Sequence, residues 1–126
     1  MSRPLPWPSI ERWLVTLVAA HSLGVGLVLL VVPEAGVRFG GWSGAEPLFF
    51  VLQAGIFHFV LAAGYLLEHA RYRGVTLLLV AKFTALVFLT ACWLLLEVPW
   101  SVPFSGFADG SMGLAVLLVH RFAARV

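Results

Sequence analysis

Apolar residues fall into four long runs, at about 10–32, 47–67, 74–96 and 104–119, separated by short stretches that hold most of the glycines, prolines and charges. A helix needs roughly 20 mostly apolar residues to cross the hydrocarbon of a bilayer, and four crossings with short connections use nearly the whole chain. The run ends carry helix signals. Ser9 is placed to cap the first helix and Pro33 to stop it, because proline cannot continue the hydrogen-bond ladder. Pro47 stands at the first turn of the second helix, where its missing N–H costs nothing. The connection from Pro33 to Pro47 contains Gly36, Gly40, Gly41 and Gly44 but also Val37, Phe39 and Trp42, which predicts a segment folded on the membrane surface. Residues 68–73 predict a tight polar turn, with Glu68 and His69 at a solvated helix end, and Pro99 and Trp100 mark the last turn. The fourth run is the shortest and most polar.

The predicted architecture is therefore all-α: a polytopic membrane protein, an up-down bundle of four transmembrane helices in one domain covering 1–126. Composition agrees. Of 126 residues, 61% are hydrophobic and 11% charged, more apolar surface than one soluble core can hide. The net charge of +2 is too small and dispersed to suggest nucleic acid binding. The single cysteine, Cys92, excludes an internal disulfide or a CxxC redox pair and reads as a small packing residue. Arg3 and the prolines after it resemble a signal-peptide start, but the following run is too long, so it is read as a retained helix.

Orientation follows from the arginines. Arg3, Arg12, Arg71, Arg73, Arg121 and Arg125 fall on one side of this topology and Arg38 on the other, which predicts cytoplasmic N- and C-termini. Trp7, Trp13, Tyr65 and Tyr72 then sit near the cytoplasmic boundary, and Trp42, Trp93 and Trp100 near the opposite one. No repeat supports an inverted-repeat transporter.

Because lipid tails are as apolar as leucine, helices in a membrane associate through small-residue stripes and interhelical hydrogen bonds. Candidate stripes are Thr16, Ala20 and Gly24; Ala54, His58 and Ala62 with Gly55; and Ser105, Asp109 and Gly113. Turned inward, they collect a polar cluster of His21, Gln53, His58, Lys82 and Asp109. At about 1.5 Å per residue, His21, His58 and Lys82 lie near the midplane and Gln53 and Asp109 nearer the outer face. A charge at that depth costs at least about 2.5 kcal/mol, so Lys82 requires a partner. Asp109 is the natural one, across a depth gap of about 10 Å that a deeper fourth helix would close. Three readings of the cluster compete. It is structural glue between helices, a pocket for a quinone held by His21, His58 or Lys82, or a bis-histidine haem site on the first two helices. No catalytic set and no metal-ligand set stands out.

The second helix reads Gln53-Ala54-Gly55 and then Ala63-Gly64 before a short arginine turn, and the fourth opens Gly106-Phe107-Ala108-Asp109-Gly110. This order of features resembles the DoxX-like group of small four-helix membrane proteins, over most of the chain. The chain departs from that group at Gln53, where an acid is common, and at Ile56, where a second glycine would stand. The resemblance implies a quinone-linked membrane subunit, similar to the small subunits of a thiosulfate to quinone oxidoreductase, and one cysteine could not run sulfur chemistry alone. The expectation is an accessory subunit of a larger membrane complex or a homo-oligomer in a bacterial cytoplasmic (inner) membrane, not an enzyme by itself. The alternatives are a stand-alone quinone- or haem-binding redox protein and a small transporter. Small multidrug transporters depend on a membrane-embedded glutamate in the first helix, whereas Glu11 stands at the edge of this one.

Overall fold

The computed structural model describes residues 3–125 and is all-helical. It contains α1 (Trp7–Val31), α2 (Pro33–Phe39), α3 (Leu48–Tyr72), α4 (Thr76–Leu95) and α5 (Ser101–Ala123). Helices α1, α3, α4 and α5 are each long and apolar enough to cross a membrane. Three of them, α1, α3 and α5, are longer than the apolar runs, while α4, at 20 residues, falls just inside its run of 74–96. α1 starts at Trp7, with Pro8 in its first turn and Ser9 inside the helix instead of capping it. α3 continues to Tyr72, and α5 gains residues at both ends. Hydropathy reports where side chains are apolar, whereas a helix continues as long as its polar residues find partners.

Packing follows a ring. α1 lies against α3, α3 against α4, α4 against α5 and α5 against α1, while the diagonal pairs make no close backbone approach among the described residues. Both chain ends lie at one end of the bundle, where Trp7 stacks on Phe122 at 4.8 Å. At the other end the connection after α1 folds over the α4–α5 turn. Pro33 closes α1 and opens α2, and Phe39 meets Trp100 edge-on at 5.9 Å.

Glycines set the closest crossings. A Cβ on Gly26 would stand 2.8 Å from the Gly55 carbonyl oxygen, so α1 and α3 touch backbone to backbone there. Gly113 brings α5 against the Cβ of Lys82, at 3.1 Å from where its own Cβ would be. The inward face of α1 is Glu11, Val15, Val18, Ala19, Ser22 and Gly26. The expected stripe of Thr16, Ala20 and Gly24 is on the opposite, exposed face, and Gly24 has open space around it. Of the fourth-helix stripe, Gly113 is buried but Ser105 is exposed.

Val15, Val18, Ala62, Tyr65, Leu78 and Val116 form the centre of the core. Leu17, Phe49, Phe57, Val87, Leu94 and Phe104 are among many large apolar side chains left on the exterior. An apolar exterior over a core of small and medium side chains matches the packing expected of a bundle surrounded by lipid.

Candidate functional site: two polar layers inside the bundle

Midway along the bundle, Lys82 Nζ on α4 donates to Asp109 Oδ1 on α5 at 2.8 Å. The side chains are 5% and 16% exposed. α5 begins at Ser101, three residues before the apolar run suggested, so Asp109 sits deeper and the 10 Å gap closes without a bridge. These are the only lysine and the only aspartate in the chain. A lone charge here would be expelled or neutralised, and the pair compensates for lost water only through this short, charge-assisted contact.

Around the pair lie groups without full hydrogen bonding. His58 Nδ1 on α3 and Ser22 Oγ on α1 are buried and unpartnered among the described residues. Ser22 neighbours the Tyr65 hydroxyl without meeting it in hydrogen-bond geometry. His21 and His58 lie within electrostatic reach of both Lys82 and Asp109. His21, however, is exposed on the flank of α1 instead of pointing to the axis, because the inward arc of that helix is centred on Val15, Ser22 and Gly26. It forms the polar end of a groove of about 420 Å³ lined otherwise by Gly24, Val25, Val28, Leu29 and Gly36. A second groove, of about 320 Å³, begins at Leu29 and continues past Val37 and Trp42 to Phe50 and Ala54. Gln53 does not join the cluster. Its side chain is exposed, while the inward face of α3 is Gly55, Ala62, Tyr65 and His69.

A second polar layer lies at the end carrying the termini. Sequence position puts Glu11 at the edge of its helix and His69 at a solvated end, but both are 5% exposed. Glu11 Oε2 is 2.7 Å from His120 Nδ1 on α5. Its other oxygen, Oε1, is 3.6 Å from His69 Nδ1. Neither ring nitrogen of His69 has a hydrogen-bond partner. His120 is a third exposed on its side chain and, with Glu11, Arg73 and Pro8, lines a cleft of about 330 Å³. Glu68 is not simply solvated either. Its two carboxylate oxygens accept the N–H groups of Thr76 and Leu77 at 3.0 and 2.8 Å, capping the start of α4.

The two layers share a register. Glu11 and Ser22 on α1, His58 and His69 on α3, and Asp109 and His120 on α5 are each 11 residues apart. Eleven residues make three turns and about 16.5 Å, which returns the second side chain to the same face of its helix. Between the layers stand Val15, Val18, Leu78 and Val116, with Tyr65 crossing among them. This spacing is the signal in the sequence that could have found Glu11, His69, His120 and Ser22, and neither hydropathy nor charge counting reads it. No three His, Cys, Asp or Glu side chains among the described residues are arranged to hold a metal ion. Compared with protein-family models, with curated proteins and with solved structures, the chain matches none.

Proposed function

We propose that the chain is an integral protein of a bacterial cytoplasmic membrane, with both ends on the cytoplasmic side, and serves as a small subunit of a larger membrane assembly that holds a quinone-class molecule against α1. The observation that carries this reading is the groove of about 420 Å³ whose one polar lining residue, His21, lies within electrostatic reach of the dry Lys82–Asp109 pair. Ligand sites of this size are mostly apolar with few, well-placed polar groups. The imidazole of His21 can donate to a quinone carbonyl, and the apolar lining suits a ring and the start of a tail. The six arginines at the end carrying the termini are all exposed, which supports the cytoplasmic placement. The outward face of Thr16, Ala20 and Gly24 supports a partner subunit, since small residues at fourfold spacing let another helix approach closely. The DoxX-like resemblance points the same way.

The test is to purify the chain in mild detergent, extract bound lipid-soluble molecules, and titrate a short-chain ubiquinone while following tryptophan emission. Retained quinone and saturable quenching are expected, and both fall in His21→Leu but not in Gln53→Leu. Quinone content and quenching unchanged in His21→Leu would remove the site. A Soret band in the absorbance spectrum would replace quinone by haem, and large subunits that co-purify stoichiometrically support the accessory role.

A further inference from the structure

We propose that Glu11, His69 and His120 form a proton-loading site that admits protons from the aqueous end of the bundle and supplies the inner polar layer past Tyr65. This is independent of whether the groove on α1 is occupied. The charged and titratable groups facing the site are Glu11 from α1, His69 from α3, His120 from α5 and Arg73 from the turn before α4.

Exposure falls inward along the contacts: side-chain values are 34% for His120 and 7% for both Glu11 and His69. A carboxylate this dry must share hydrogen with its neighbours, and here both oxygens face imidazoles. Imidazole can take a proton at one ring nitrogen and release another from the second, which suits it to relay work. His69 has both nitrogens free of partners, so neither is committed to a structural hydrogen bond. Ionisable side chains within apolar helical segments are costly to bury, and proton relays are one of the uses that retain them.

The transfer uses only O–H and N–H bonds. His120 takes a proton from bulk water and passes it across the 2.7 Å contact to Glu11. The carboxyl group hands a proton to His69 Nδ1 over the 3.6 Å gap as it tightens, and His69 releases one from Nε2 toward Tyr65. Side chains on a helix lean toward its N-terminus, and α3 begins at the far end of the bundle, so Tyr65 leans from the outer layer to the inner one. Its hydroxyl there stands beside Ser22, with Asp109 within electrostatic reach. Water admitted transiently beside the phenol completes the path to His58 Nδ1, a buried ring nitrogen without a partner. No electron moves, and each donor is refilled from bulk water.

The test is solvent exchange of the His58 ring proton, followed by NMR on the full chain labelled with ¹⁵N-histidine in lipid nanodiscs. A positioned acid or base speeds proton transfer by about 100-fold or more, so Glu11→Gln, His120→Asn and Tyr65→Phe should each slow this exchange at least about tenfold. The three variants differ in how much packing they disturb, and each is scored where its His21 and His58 signals keep their wild-type positions, with Tyr65→Phe as the variant that leaves all four histidines and Glu11 in place. An unchanged His58 rate in any scored variant overturns the proposal. Slowing by His21→Leu alone overturns it as well, since the interior would then be reached through the α1 groove.

Discussion

Lys82 Nζ and Asp109 Oδ1, the ends of the chain's sole lysine and sole aspartate, stand 2.8 Å apart across the α4–α5 crossing. The approach depends on Gly113, four residues after Asp109, which seats α5 against the Cβ of Lys82. Charge and small-residue packing are therefore parts of one contact.

Breaking that pair from one side should be far worse than removing it whole. Lys82→Met leaves a buried carboxylate without its partner and is expected to cost about 3 kcal/mol, while Lys82→Met with Asp109→Leu should recover most of the loss. Unfolding titrations of single and double variants in mild detergent measure the difference. A double variant as unstable as the two single losses added together would contradict the pairing.

Two nearby glycines on α1 should respond with opposite signs. Gly26→Ala drives a methyl into the Gly55 carbonyl and is expected to lose about 1–3 kcal/mol. Gly24→Ala meets open space and should gain about 0.5 kcal/mol from helix propensity alone. Thermal melts of the two variants, compared with the parent in the same detergent, check the order.

Glu68→Ala removes the acceptor for the Thr76 and Leu77 amides. The first turn of α4 should fray, at a cost of about 1 kcal/mol, with faster hydrogen exchange at those two amides and little change in the rest of the helix.

At the opposite end, Glu34 is held below the ordinary glutamate value of 4.5, chiefly by its hydrogen bond to Arg38 and then by the Ala45 N–H. A depressed folded value means that the tie is complete above the ordinary value and is lost as pH falls through the lower one. Exchange protection of the Ala45 amide should therefore hold from neutral pH to about 5 and disappear in more acidic solution. Glu34→Gln should remove that pH dependence.

Much of the fold is legible in the pattern of apolar runs, because length and hydropathy identify spanning segments directly: four long helices, both ends together, and a lysine in need of an aspartate. What the pattern does not carry is which way each helix faces. Thr16, Ala20 and Gly24 look like a buried stripe by spacing, yet Gly26 and Ser22, displaced by about half a turn, make the closer approach to α3. Polarity suggests an inward Gln53, yet its side chain is on the exposed face of α3, in the second turn of that helix. By sequence position Glu11 stands at the edge of its helix and His69 at a solvated end, because polar groups near a helix end are normally solvated. Here α1 and α3 run several residues past their apolar cores, so Glu11 meets His120 of α5 at 2.7 Å and His69 is buried 3.6 Å from Glu11.

The central claim, a dry ion pair inside a bundle with an apolar exterior, can be read from one residue because lysine occurs once. In lipid vesicles, the rate at which a water-soluble amine reagent modifies Lys82 should be compared with that of the N-terminal amine, using mass spectrometry of both sites. Protection of Lys82 by at least about a hundredfold, abolished on denaturation, is predicted, since a group exposed only through opening reacts in proportion to its open population. Equal rates at the two amines in the folded protein would contradict the account.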